Sequence, residues 1–170
     1  MGPLVVNVAD LLHRRGARRH EQLTASSLAG LAVVGTVVPT SEPVHVDVDL
    51  ESVSDGILAT GSVVARWRSE CRRCLTDVTG AARGSFQELF EPHSREGETY
   101  PLHHEHVDLE PLARETLLLE LPLAPLCRQE CSGLCPTCGD DLNLGACHCP
   151  PAARDPRWEA LDELRDQLKR

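Results

Sequence analysis

Eight cysteines set the terms on which this 170-residue chain can fold. They stand at 71, 74, 127, 131, 135, 138, 147 and 149, so that six fall within 23 residues and none precedes residue 71. Residues 122–154 hold those six among prolines and glycines, with almost no apolar periodicity. A stretch of that kind cannot bury enough apolar surface to offset the entropy of ordering it. Something else must cross-link it. Cys71-Arg72-Arg73-Cys74 is one CxxC motif, and Cys135-Pro136-Thr137-Cys138 is a second, followed by Gly139. The glycine lets backbone amides turn toward the thiolates, as in a zinc knuckle. Cys147-His148-Cys149 completes the set. Zinc takes four soft ligands at tetrahedral corners, with sulfur about 2.3 Å away, and short-spaced pairs from separated segments supply that geometry.

Eight thiolates make two sites, hence two Zn²⁺. The spacing assigns Cys135, Cys138, Cys147 and Cys149 to a local site. Cys71 and Cys74 join Cys127 and Cys131 in a long-range one that fastens the two halves of the chain. Exchange of Cys131 or His148 between the sites stays open. A disulfide framework belongs to exported chains, and Met1 to Asp10 lacks a basic start followed by an apolar run. A soluble, intracellular protein is expected. Thioredoxin-like chemistry at Cys71 and Cys74 would need a βαβ context that the strand pattern does not offer.

The first half reads as an antiparallel sheet. Val44, Val46, Val48 and Leu50 alternate with His45, Asp47, Asp49 and Glu51. Ser54-Asp55-Gly56 is a hairpin turn. Ile57, Ala59, Val63, Ala65 and Trp67 then line one face of the next strand. Val78, Ala82, Phe86 and Phe90 do the same for a third, and Leu31 to Val38 suggests a fourth. Gln22 to Ser41 is uncharged over 20 residues, but its polar, Gly and Pro interruptions favour a buried strand over a membrane helix. A helix is expected from Leu109 to Leu121, capped by Asp108 and ended by Pro122. Its stripe is Leu109, Leu112, Ala113, Thr116 and Leu119, with Leu117, Leu118 and Leu121 widening it. A second helix starts at Asp155-Pro156 and carries Trp158, Leu161, Leu164 and Leu168. The fold expected is α+β: an antiparallel sheet or partly open β-barrel with a packed helix, a Cys-rich zinc-binding loop and a C-terminal helix. Residues 1–121 form the β-rich core, 122–154 the zinc-binding segment and 155–170 the last helix, in one globular unit.

The net charge of −9 argues against a protein held to nucleic acid by bulk charge alone. Between 91 and 150, three basic residues face eleven acidic ones, whereas nine arginines gather in the first 90 residues. Arg66, Arg68, Arg72 and Arg73 flank the first CxxC and are candidates for phosphate contact, since a guanidinium binds phosphate bidentately; a plain solvated face is the alternative. Arg14, Arg15, Arg18 and Arg19 are a weaker cluster, either a phosphate patch or a loop. His103, His104, Glu105 and His106 lack the one-face spacing of HExxH and read as a solvated loop. No Gly-rich phosphate loop, nucleophile elbow or paired-carboxylate signature occurs. Four-cysteine sites leave no open coordination position, so the chain is read as having no catalytic residues and no small-molecule substrate.

The CRRC at 71–74, the Cys127-x3-Cys131-Ser-Gly-Leu-Cys-Pro-Thr-Cys-Gly run, Asp141-Leu-Asn-Leu, the CHC at 147–149 and Asp155-Pro-Arg-Trp resemble the YceD family of large ribosomal RNA subunit accumulation proteins. The resemblance covers about residues 60–168. It implies a cytoplasmic, non-enzymatic factor for accumulation or processing of large-subunit (23S) ribosomal RNA. Its partner would be a pre-50S particle, that RNA or a ribosomal protein. Two alternatives stand beside it: a zinc-stabilised adaptor whose acidic residues 91–120 bind a ribosomal protein, and a redox-regulated zinc chaperone.

Overall fold

The alternation between residues 44 and 90 becomes three long antiparallel strands, seen in a computed structural model that describes residues 2–150 together with 157, 161 and 165. In chain order the elements are β1 (Val5–Asn7), α1 (Ala9–Leu12), β2 (Arg18–Ala25), β3 (Ala32–Val33), β4 (Thr36–Val37), β5 (Val44–Ser52), β6 (Ile57–Glu70), β7 (Asp77–Glu91), β8 (Tyr100–His103), β9 (His106–Asp108) and α2 (Glu110–Glu120). The strands make one open sheet, β2-β5-β6-β7-β8-β9-β1, with the small β3–β4 hairpin joined to β6 where Val37 meets Arg68. The protein is α+β and mostly sheet.

Register puts the apolar sets on a common face. Val44, Val46, Val48 and Leu50 lie opposite Ala65, Val63, Gly61 and Ala59, and Ala59, Gly61 and Ala65 meet Glu88, Phe86 and Ala82 on β7. Fully burying a Val, Leu or Phe side chain contributes about 1.5–3 kcal/mol, and Val44, Val48, Leu50, Ile57, Val63 and Phe90 are fully buried. Helix α2 closes over this face with Leu112, Ala113 and Leu117, flanked by buried Leu109 and Leu121. The approach is tight at Gly84, where an added Cβ would sit 2.3 Å from Thr116 Cγ2. Asp108 supplies the helix start, its carboxylate accepting the Glu110 amide at 3.0 Å.

Several expectations are corrected. The sheet is not wholly antiparallel: β8 runs parallel to β7 for two pairs, Phe90–Tyr100 and Glu91–Pro101. The Phe90 and Tyr100 rings stack at 5.2 Å, and Thr99 ties the intervening loop to Glu91 at 2.7 Å. Leu31 to Val38 is no single strand. It folds back at Val34 and Gly35, both at positive φ (41° and 89°), which is the conformation of a two-residue hairpin turn. Leu119 is 86% exposed. The buried stripe of α2 runs instead through Leu109, Leu112, Ala113 and Leu117, the three- and four-residue steps of one helix face. Arg18 and Arg19 belong to β2, where Arg18 pairs with Glu51 and Arg19 with Asp10 and Glu21. The His103–His106 segment is a β8–β9 hairpin. The helix expected from Asp155 starts outside the described residues; of its stripe only Leu161 is described, and it is helical and exposed. No helix among the described residues is long and apolar enough to cross a membrane.

Candidate metal centres and the arginine face

The first CxxC is the turn between β6 and β7. Cys71 N–H donates to the Thr76 carbonyl at 2.8 Å, and Leu75 N–H returns to the Cys71 carbonyl at 3.0 Å. Leu75 takes a left-handed φ of 60° to close the loop. The segment leaving α2 is sewn onto this turn by backbone bonds, Arg72 N–H to Pro125 and Leu134 N–H to Arg73. Cys71, Cys74, Cys127 and Cys131 therefore converge, their sulfurs all within 4.8 Å of one another. Cys71, Cys74 and Cys131 are buried and form a small apolar cluster with Val78, Leu126 and Leu134, separate from the main core.

The second CxxC sits on its own loop. Cys135 N–H donates to Asp140, and Gly139 N–H, at a φ of 80°, donates back to Cys135 at 2.9 Å. Cys135, Cys138, Cys147 and Cys149 again lie within 4.8 Å of one another. The structure thus brings together the two sets separated by spacing, with Cys131 in the long-range one. His148 is in neither group.

All eight cysteines are free. A tetrahedron with metal–sulfur bonds of about 2.3 Å has edges of about 3.8 Å, whereas a disulfide holds its sulfurs about 2.05 Å apart. The Cys71–Cys131 and Cys74–Cys127 sulfurs are 3.8 and 3.5 Å apart. The donor set and its size fit a tetrahedral thiophilic ion such as zinc.

Electrostatics agree with that fit. Burial acts to raise the Cys71 thiol, but amides of Cys127, Cys74 and Arg73 outweigh it and bring the group down to about 6. Amides of Cys138 and Thr137 hold Cys135 at about 6. Cys131 is lowered too: burial opposes it, and the Asn143 side chain and Gly133 amide prevail. Cys127 is pushed up to about 12, first by its contact with Cys74 and then by burial and the other sulfurs. At Cys138 the Asp140 amide pulls down, yet the Asp140 carboxylate, burial and the neighbouring thiolates carry it up to about 12. Each cluster stabilises some thiolates and crowds the rest with negative charge, a field that a divalent cation relieves.

Spacing alone did not single out Asn143. Its amide nitrogen donates to Cys131 Sγ at 3.4 Å and to Asp141 at 2.6 Å. Its oxygen accepts from Arg128 at 2.7 Å and from Ser132 N–H at 2.8 Å. One residue orients a sulfur of the long-range cluster from the loop that carries the local one.

The arginines divide. Arg73 serves the turn, donating to the Cys131 carbonyl at 2.8 Å. Arg66 and Arg68 project from the wet face of β6, opposite Ala81 and Thr79, with Arg83 beside them on β7. Among the described residues no hydrogen bond or ion pair engages the side chains of Arg66, Arg68, Arg72 or Arg83, while Arg18, Arg19, Arg95 and Arg114 each pair with an acid. Arg83 joins the set only through the β6–β7 register, which places it diagonally from Arg66.

The fold and its sites define a mostly-sheet α+β protein with two tetrathiol clusters and an arginine-bearing sheet face. The sequence profile described as large ribosomal RNA subunit accumulation protein YceD matches residues 59–165, and the chain belongs to that family. It is 34% identical over 171 residues to an uncharacterised protein of Mycobacterium leprae, covering 96% of this chain and 78% of that one. An uncharacterised protein of Mycobacterium tuberculosis is 35% identical over 169 residues, covering 95% and 81%. The chloroplastic large ribosomal RNA subunit accumulation protein YCED homolog 1 of Arabidopsis thaliana is 29% identical over 70 residues, covering 41% of this chain and 22% of the plant protein. No solved structure matches.

Proposed function

We propose that this protein is a non-enzymatic factor in the biogenesis of the large ribosomal subunit, acting in the cytoplasm on 23S rRNA or the pre-50S particle. The observation that carries the reading is the family match. Its span, residues 59–165, takes in all eight cysteines and the arginines of β6 and β7. One zinc ion is held by Cys71, Cys74, Cys127 and Cys131, and a second by Cys135, Cys138, Cys147 and Cys149. Bound there, zinc supplies structure: it clasps residues 122–149 to the β6–β7 turn in place of an apolar core. Four cysteine ligands leave no corner for substrate, which supports a binding role over a catalytic one.

RNA contact falls to Arg66, Arg68, Arg72 and Arg83, on the sheet face and the turn beside the clasp. Arg73, although exposed, is tied to the turn by its hydrogen bond to the Cys131 carbonyl. Replacing Arg66 and Arg68 with Glu tests the reading. Expected is accumulation of unprocessed large-subunit RNA in cells that depend on the variant, with metal content unchanged at two ions per chain. Normal precursor levels and normal ribosome profiles would overturn it.

A further inference from the structure

Among the described residues the longest stretch of strand without a second partner is one side of β7. Its pairing with β6 runs the whole length from Glu70–Asp77 to Ile57–Phe90. On the other side, β8 engages only Phe90 and Glu91. Residues 77–89 therefore have no second strand partner among the described residues. Sheet edges are ordinarily guarded by proline, lysine or a covering element, because free backbone groups template a further strand. This edge contains neither Pro nor Lys.

Beside it, α2 overhangs and makes a groove of about 280 Å³ whose floor is Ser85 to Glu88. Glu88, Glu115 and Glu120 stand around this groove, and among the described residues no cationic side chain lines it. Tyr100 donates its hydroxyl to Glu115, while Glu88 and Glu120 meet no hydrogen-bond or ion-pair partner among the described residues. Leu119, 86% exposed, lies on the rim. A phosphate chain is repelled here. A strand whose alternate side chains are basic is matched twice, by backbone pairing and by charge.

We propose that the free edge of β7 and the acidic flank of α2 form a docking groove for an extended Lys/Arg-rich segment of a partner protein, added to the sheet as another strand. Its basic side chains, two residues apart, point toward Glu88, Glu115 and Glu120, and the aliphatic stem of one of them covers Leu119. This contact uses the α2 side of the sheet, whereas Arg66, Arg68 and Arg83 project from the opposite, wet face, so the chain has one surface for RNA and another for a basic protein.

The test uses the full-length, metal-loaded chain and a fluorescent decapeptide of alternating Lys and Thr, with anisotropy read near physiological salt. A control peptide of equal charge carries Pro at alternate Thr positions and cannot pair as a strand. Expected is binding of the first peptide at least tenfold tighter than the second. The Glu88→Gln, Glu120→Gln double variant should lose at least tenfold, and bound peptide should slow amide exchange within 83–89. Leu119→Ser, a change on an exposed side chain, should weaken binding without altering metal content. Arg66→Glu should leave peptide binding intact, which separates this groove from the RNA reading. Equal binding of both peptides would reduce the effect to counterion attraction and overturn the proposal. So would the absence of binding; protection of 83–89 in the free chain would then assign the edge to another part of the chain itself.

Discussion

At the scale of single residues, the ligand candidates were legible and their supports were not. CxxC and CxC spacings follow from how closely two sulfurs must lie to share an ion, so any chain that carries them declares them. Asn143 works through contacts with Cys131, Asp141, Arg128 and Ser132 that exist only after folding. Such outer partners orient a ligand, and removing them typically lowers metal affinity 10–100-fold. Asn143→Ala is therefore expected to weaken zinc at the long-range cluster by about one to two orders of magnitude, while leaving the local cluster near its original affinity. Chelator competition that resolves the two ions checks this. An unchanged affinity would reduce Asn143 to a loop tie. Arg73 teaches the same lesson in reverse. Its neighbours in sequence suggested phosphate, but its guanidinium is directed at the Cys131 carbonyl.

At the scale of elements, long strands announce themselves because every second residue must face the core. β5, β6 and β7 obey that rule over 9, 14 and 15 residues. β2 escapes it because its core-facing side carries Arg19, Glu21 and Leu23, half-buried groups that a hydrophobic pattern does not flag. Short β3 and β4 hide behind a turn at Val34-Gly35, where a β-branched residue takes a φ that its type rarely adopts. What the elements do energetically can be separated by experiment. The long-range cluster packs with its own small apolar set and not with the main core. Cys131→Ser is expected to cut zinc from two ions per chain to one. Exchange should become fast at residues 71–76 and 122–135, while amides of β5 and the middle of β6 stay protected. Cys149→Ser should also leave one ion, yet keep 71–76 protected, because the clasp survives. If Cys131→Ser instead melts β5 and β6 together with the turn, the two cores are one cooperative unit.

Thr36 shows how the remaining joint is made. It is fully buried, and its hydroxyl donates to the Pro122 carbonyl at 2.7 Å and lies 3.1 Å from Ser69 Oγ. It pins the exit of α2 to the strands at the foot of the turn. Thr36→Val keeps the shape but leaves the Pro122 carbonyl without its donor, at a cost of about 1–3 kcal/mol. Urea unfolding of the variant measures it, and a loss under about 0.5 kcal/mol would mean that water replaces the bond.

At the scale of the whole molecule, a charge of −9 hides an uneven distribution. The acids of α2 and its flanks are set apart from a face where Arg66, Arg68, Arg72 and Arg83 go unpaired among the described residues. Net charge speaks only against binding by bulk charge, and a local contact depends instead on where the basic groups lie. The Debye length near physiological salt is about 8 Å, so an RNA strand on the arginine face is screened from the acids of α2, while Glu70 and Asp77 line the same cavity as Arg68 and Arg72 and are not. Affinity should then count local contacts. Each phosphate neutralised on single-stranded RNA contributes about 0.7 to the slope of log K against log salt, so four arginines predict a slope near −3. Changing Arg66 and Arg68 to Ala should halve it to about −1.4, at every salt concentration weakening binding without regard to sequence. Filter binding to a short large-subunit RNA fragment, repeated across a salt series, reads both numbers. A slope that stays near −3 in the double variant would move the RNA contact off this face, for the remaining pair of arginines cannot neutralise four phosphates.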